Sequence, residues 1–446
     1  MMRVRGVLAI TAITLTAGVP MASAADTANL AAAGCAMAHC DQAITGNAQQ
    51  AAPAPAAVVW HDTTAPGSHS GLGCVSNTHQ AVCSFANRLF NWTSLRAYSP
   101  GGQTLWSSIL LDHNAYASAP MIAPDSSVIA ADDRRIVRFS PNGAVLWQTQ
   151  TPGGIPISPN ITDEGIVVLA TSGGPVSTYD AVSGQLLATL KLTSGSSYYD
   201  TVNTPAVDGN RVYVVTALHD RPSYGRLYAL DVGTHGELKV AWSWDFEGPS
   251  GGSPTVLTTN GMPVVYLDGS GATAGSTTTS PFLFAVQDVG TEPALLWRYP
   301  LGVDAQAAAT PDPRGGVWTN STFSPTLVRL DQVTGALLQT INTANLVSLA
   351  CGGCAGIHAP SSAMTITGSA SDPVMLVSAT PILMQSSYVL AIDLQSGTLL
   401  WSYRVDQGKG LAGVPFGQDA VVMRADGRPE IVFSTYCNGV WALAAP

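Results

Sequence analysis

The sequence is poor in charge. Only 11% of its 446 residues are Asp, Glu, Lys or Arg, and 19 Lys and Arg stand against 29 Asp and Glu, for a formal net charge of -10. A disordered polyelectrolyte needs low hydrophobicity with high charge, so a 46% hydrophobic content excludes it. Nucleic-acid binding is disfavoured for the same reason, because there is no basic excess to neutralise phosphates. Long apolar runs are missing too. After the first 24 residues no stretch reaches 18 consecutive apolar positions, so no membrane-spanning helix is expected in the mature chain. Haem attachment lacks its Cys-x-x-Cys-His motif, since Cys35-Ala-Met-Ala-His39-Cys40 has the wrong spacing and order. Helical periodicity is absent over any useful length.

What is present begins with an export signal. Arg3 and Arg5 precede a largely apolar stretch from Val7 to Val19, and Ala22-Ser23-Ala24 is a small-residue cleavage site. Residues 1–24 therefore read as a signal peptide cleaved near Ala24, which places the protein in the periplasm or outside the cell. An alternative takes Cys35 as a lipid-attachment site, although Asp26 and Asn29 separate it from the apolar run. Residues 25–57, rich in Ala and ending with Pro53 and Pro55, read as a loosely structured tail or a disulfide-tied cap. The seven Cys of an exported chain read first as disulfides. Local pairing gives Cys35 with Cys40, Cys74 with Cys83, and Cys351 with Cys354, leaving Cys437 over. The pair Cys351-Gly-Gly-Cys354 with His358 also admits a redox or a zinc reading, but the turn-rich context and missing fourth ligand oppose both.

Forty-four Gly and 29 Pro punctuate many short strands, and the strands repeat. The unit is apolar-x-apolar, an Asp or Ser, a Gly, then an apolar pair that often ends in Trp. Its clearest copies are Leu227-Tyr-Ala-Leu-Asp231 running to Trp242, and Val389-Leu-Ala-Ile-Asp393 running through Gly397 to Trp401. Eight copies place the marker at 99, 140, 180, 231, 287, 331, 393 and 444, spacings suited to four-stranded propeller blades. A Pro opens most units, at Pro120, Pro159, Pro205, Pro254, Pro311, Pro360 and Pro415, as suits the first residue of a strand. Each unit thus reads as strands A to D, with the repeated motif on strand C and Trp on strand D.

These units resemble the repeats of pyrroloquinoline quinone (PQQ)-like β-propellers. The resemblance covers residues 58–446 and implies an all-β ring of eight four-stranded blades, with seven as the alternative because Gly71 to Cys74 lacks the opening Pro. The last unit ends after Val440-Trp-Ala-Leu443, so Val58-Val59-Trp60 is expected to supply its missing strand D and close the ring. The family includes quinoprotein dehydrogenases and an outer-membrane assembly lipoprotein, so the repeat alone says little about activity.

In such a ring the D-to-A connections surround one mouth of the channel. They carry Asp112, His113, Tyr199, Asp200, Asp245, Glu247, Asp304, His358, Asp406 and Lys409 as candidate ligand-binding residues. Asp245 and Glu247 suggest a carboxylate pair for acid–base work or Ca²⁺, yet polar residues are the default in exposed loops. Two functions follow from these features. The first is a monomeric, non-catalytic binding or scaffolding propeller for a protein, polysaccharide or small ligand, with no cofactor and no metal. The second is a PQQ- and Ca²⁺-dependent dehydrogenase acting on an alcohol or sugar. The second needs basic clamps for the carboxylated quinone, and the connections offer few beyond Lys191 and Lys409. The adjacent-Cys disulfide that the resemblance implies near a quinone is also missing.

Overall fold

The structure is a computed structural model. Its described residues are 29–31, 34–48, 50–51, 56–64, 73–85, 93–112, 115, 118–192, 203–218, 221, 223–248, 252–269, 281–301, 308–320, 324–353, 358–381, 387–405, 417–435 and 438–445. Residues 1–24, expected to be a signal peptide, Pro415 and Cys437 lie outside them.

Eight antiparallel sheets form an eight-bladed β-propeller. Blade 4 shows the plan: strand A is Ala206–Asp208, B is Arg211–Ala217, C is Tyr224–Val232 and D is Leu238–Glu247, hydrogen-bonded in that order. The remaining blades span 74–108, 121–150, 160–191, 255–300, 310–342 and 358–405, with blade 8 made from 420–444 and Ala57–Asp62. All eight copies of the repeated motif occupy strand C. Because neighbouring strands run antiparallel, the D-to-A and B-to-C connections share one end of the ring, and the A-to-B and C-to-D turns share the other.

The repeat sequence explains the blade packing. The C-to-D turn needs Gly in the left-handed region, as at Gly184 (φ +74°), and the preceding blade's Trp lies against that Gly. Trp106 packs on Gly143, Trp147 on Gly184 and Trp297 on Gly335, leaving no room for a Cβ. The indole N–H groups then bond forward: Trp147 to Ala181 O at 3.1 Å, Trp242 to Asp288 Oδ1 at 2.8 Å, and Trp297 to Gln332 O at 3.2 Å. Just before this position every C–D ladder skips one residue, a β-bulge on strand D.

Closure follows the same rule. The strand Ala57–Asp62 pairs with Val440–Ala444, with Trp60 opposite Ala442 and His61 opposite Trp441. Trp60 packs on Gly102 of blade 1, and Asp62 accepts from Arg96 Nη1 at 2.6 Å and Tyr98 Oη at 2.8 Å on that blade. Burial alone would raise the Asp62 carboxyl, but hydrogen bonds from Thr64, Tyr98 and Arg96 outweigh it and hold the pKa at about 2.

Residues 29–31 and 34–48 carry the expected Cys35–Cys40 tie but differ from a loose tail or cap. They lie inside the ring and touch the inner strand of every blade. Ser76 and Ile122 N–H donate to Cys35 O and Ala36 O, each at 2.7 Å, and Val207 N–H donates to Gln42 O at 2.8 Å. Val256 N–H reaches Ala43 O at 3.0 Å, and Ile366 N–H reaches Gly46 O at 2.8 Å. Blade 3 joins through Asn160 Nδ2 to Gln42 O, and blade 8 through Gln418 Nε2 to Met37 O. At blade 6 the contact is steric, since a Cβ on Gly46 would come 3.2 Å from Thr310 Cγ2. Leu30, Ala36, Met37 and Ile44 belong to the same buried apolar cluster as Met121, Ile161, Ala206 and Val256. Small side chains let the backbone approach so closely, and sequence pattern alone does not reveal a segment held by its carbonyls.

Disulfides join Cys35 to Cys40 and Cys74 to Cys83, the latter directly across strands A and B of blade 1. The Cys35 sulfur is therefore not free to carry a lipid. One helix, Thr343–Ala350, departs from the all-strand expectation; Asn342 caps it by accepting from Asn345 N–H. Blade 7 also departs, with its inner strand split into His358–Pro360 and Thr365–Gly368, both paired with Pro373–Pro381.

Two predictions follow. Gly184→Ala forces a Cβ into the Trp147 ring and a non-Gly residue into positive φ, whereas Gly427→Ala (φ +78°) meets no atom within 4 Å. Gly427→Ala should cost about 1–2 kcal/mol from conformation alone. Gly184→Ala should cost roughly 1–3 kcal/mol more from overpacking, read from urea midpoints. Equal losses would remove the indole contact from the account. Second, the Asp62 pKa is lower folded than its unfolded value of about 3.9, so its stabilisation is full above pH 4 and fades as pH falls toward 2. Asp62→Asn should flatten stability across that window, while parallel loss in both proteins would contradict the assignment.

Candidate functional site

The D-to-A end gathers part of the set expected from sequence. Asp112 follows strand D of blade 1 and meets the B-to-C turn of blade 2, where its N–H donates to Asp132 Oδ2 at 3.0 Å. Asp132 Oδ1 accepts from the N–H groups of Arg134 (2.8 Å) and Arg135 (2.7 Å), an Asx-type arrangement that fixes the turn. Carboxylate oxygens of Asp112, Asp132 and Asp133 lie within 4.8 Å of one another, the one such trio among the described residues. Arg134 Nε stands 3.5 Å from Asp112 Oδ2, and Arg135 Nε stands 3.4 Å from Asp132 Oδ2. Ca²⁺ takes six to eight oxygen ligands, so three carboxylates partly neutralised by two arginines act first as a lock on the turn.

Asp245 and Glu247 do not form a carboxylate pair poised for proton transfer. Both lie at the end of strand D in blade 4. Arg226, directly across the ladder, binds Asp245 with both nitrogens of its fork, one of them at 3.0 Å, and Arg221 adds a third bond. The Arg226 hydrogen bond, followed by that of Arg221, holds the Asp245 carboxyl below the usual carboxylate range despite burial. Glu247 Oε2 lies 3.8 Å from Arg298 Nη1. The three arginines also stack on aromatic rings: Arg221 on Tyr224, Arg226 on Tyr228 and Arg298 on Phe282. These arginines do not belong to the D-to-A connections, where the candidate residues were expected. Arg226 sits on strand C, one place before Leu227-Tyr-Ala-Leu, and Arg221 lies in the B-to-C connection.

His358 is buried, edge-on to Tyr388 at 5.8 Å, and its carbonyl accepts from Thr343 Oγ1 at 2.5 Å. That position ties the helix Thr343–Ala350 to blade 7. Cys351 is disulfide-bonded, which removes its thiolate as a zinc ligand. His113, Tyr199, Asp200, Asp304, Cys354, Asp406 and Lys409 lie outside the described residues.

Two further titratable groups sit along the channel. Burial pushes Asp419, beside the Cys35–Cys40 loop, up to about 7, and its Oδ2 has no hydrogen-bond partner. Asp41 inside the ring is raised by burial to about 6, although it accepts from Thr45. A carboxylated quinone with Ca²⁺ needs free basic clamps and free carboxylates. The described residues do not fit it: Arg134, Arg135, Arg221, Arg226 and Arg298 at this end are held by acids, and residues 29–31 and 34–48 occupy the channel.

Comparison with known proteins agrees with this geometry. Residues 50–259 match the family model described as outer membrane protein assembly factor BamB. No curated relative matches by sequence. Among solved structures, BamB from Moraxella catarrhalis superposes with a TM-score of 0.55 at 12% identity, covering 88% of this chain and 99% of its own. A europium-containing methanol dehydrogenase gives 0.60 at 12% identity, covering 92% and 90%. The quinohemoprotein alcohol dehydrogenase from Comamonas testosteroni gives 0.61 at 12% identity, covering 92% and 80%. At such identities the likeness speaks for fold alone. With its eight in-phase repeats and closed ring this chain is an eight-bladed β-propeller, and its repeats and residues 50–259 are similar to those of the PQQ-like repeat propellers.

Proposed function

We propose that the protein works outside the cytoplasm as a non-catalytic propeller that binds or scaffolds a protein partner through the D-to-A end of its ring. The observation that carries this reading is the pairing of acids with arginines at that end. Asp245 is held ionised by Arg226 and Arg221, which suits recognition and not proton abstraction at neutral pH. Arginines stacked on Tyr224, Tyr228 and Phe282 are side chains of the kind enriched in interface hot spots. Two disulfides suit an oxidising compartment, in keeping with the signal-like first 24 residues. A protein partner also agrees with the assembly factor whose family model matches residues 50–259.

The test combines reconstitution with substitution. Purified protein mixed with PQQ and Ca²⁺ should acquire no tightly held quinone absorbance and should not reduce a dye with alcohols or sugars. Asp245→Ala and Glu247→Ala should weaken capture of a protein partner by about tenfold, or 1.4 kcal/mol, while urea midpoints shift little. Reconstituted dehydrogenase activity that disappears in those variants would replace this reading with a quinoprotein enzyme.

A further inference from the structure

We propose that the segment centred on residues 34–48 forms a reversible plug that enters and leaves the channel through its A-to-B end while the ring stays closed, and that the channel is a site for a folded-back, turn-rich peptide segment. This inference concerns the opposite end of the ring from the reading above and does not depend on it.

The path of the segment shows why unthreading is unnecessary. Asn29 Nδ2 donates to Thr162 O (3.0 Å) and Asp163 O (2.7 Å), in the A-to-B turn of blade 3. Gln50 O accepts from Gly368 N–H at 3.4 Å, where blade 7 enters its own A-to-B turn. Between these points the segment reaches the other end: Ile44 O accepts from Thr255 Oγ1 at the start of strand A in blade 5, and Met37 O from Gln418 Nε2 just before strand A of blade 8. Both limbs therefore use one opening. A hairpin-like insert can withdraw through it without breaking the pairing of Ala57–Asp62 with Val440–Ala444.

What holds the segment is chiefly its backbone. Inward N–H groups of Ser76, Ile122, Val207, Val256, Ile366 and Gly368 all donate to carbonyls of residues 35–50. Such a set of donors recognises a run of peptide acceptors whatever the side chains, provided they are small where walls are close. Gly34 and Gly46 mark two such places, since a Cβ there would lie 2.6 Å from Ser76 O or 2.7 Å from Met364 O. The ligand class is thus a turn-rich, Ala- and Gly-rich peptide, with the chain's own segment as the resident occupant. Residency is strained: His39, Cys40 and Ile44 all have positive φ, three of the five such non-Gly residues described. Asp41 also gives up water inside the ring. Local opening draws on elements that carry such costs.

The intact oxidised protein supplies its own control, because Cys35–Cys40 lies on the segment and Cys74–Cys83 lies in the ring, and both are buried. A phosphine reductant passes two electrons to a disulfide, which takes two protons from water to give two thiols, while the phosphine becomes its oxide. Timed reduction, alkylation and mass spectrometry should show Cys35–Cys40 opening at least ten times faster than Cys74–Cys83. Hydrogen exchange should show the Ser76, Val207 and Ile366 amides opening before those of Val440–Ala444. Equal reduction rates with simultaneous exchange would mean that the segment leaves only when the ring unfolds, and would overturn reversibility. A fluorescent peptide of residues 29–51, oxidised at its two Cys, should bind saturably to chain lacking residues 25–51 whose ring retains native Trp fluorescence. No binding to that folded ring would overturn the peptide site.

Discussion

The seams of the ring depend on side chains seated against the C-to-D glycine of the next blade: an indole at four seams, from Trp60, Trp106, Trp147 and Trp297, and Leu187 on Gly236 or Gln339 on Gly397 at two more. A four-stranded blade has two apolar faces and cannot cover either by itself, so it is stable only between neighbours. Gly at the C-to-D turn serves two needs with one residue: it takes the positive φ of the turn and leaves the space into which Trp fits. The indole N–H then finds an acceptor on the neighbouring blade, so its burial leaves no unpaired donor at Trp147, Trp242 or Trp297. Trp60 on Gly102 repeats that contact where the chain is not continuous, and the buried Arg96–Asp62 pair fastens it.

A ring of eight inner strands leaves an axial space, and this chain fills it with residues 29–31 and 34–48. The composition that reads as featureless, Ala with Gly, is what permits a backbone to sit among eight strand edges. The same stretch leads directly into the strand that completes blade 8, so the axis and the seam of the ring are consecutive in sequence. The two ends of the ring differ in what they present. One presents arginines and acids on extended strands of blades 4 and 5, and the other admits the chain's own segment.

Much of the architecture was legible in the sequence, for a physical reason. Blade strands are specified by local alternation, and Leu227-Tyr-Ala-Leu-Asp231 announces itself because turn chemistry and burial repeat in phase. Even the seam could be read, since Val440-Trp-Ala-Leu443 lacked a partner that Val58-Val59-Trp60 could supply. The placement of residues 34–48 was not legible, because backbone carbonyls that meet donors from seven separate blades leave no periodic trace. The helix Thr343–Ala350 escaped as well, being only two turns long. At the site, Asp112 and Asp245 were expected as acids of the D-to-A connections, and their partners were not foreseen. Arg134 and Arg226 come from turns and strands whose side-chain neighbours depend on tertiary register.

The bulge on strand D has a consequence for how copies of the molecule meet. Eight outermost strands turn an unpaired edge to solvent, each a template on which a foreign strand could be laid down. Skipping one residue near the middle, at Leu105, Leu146, Leu187, Ala241, Leu296, Leu338, Leu400 and Val59, breaks the even spacing of free N–H and C=O groups along that edge. A straight strand laid against it falls out of step after two or three bonds. The rim can therefore remain rich in leucine and poor in charge without seeding sheets between molecules.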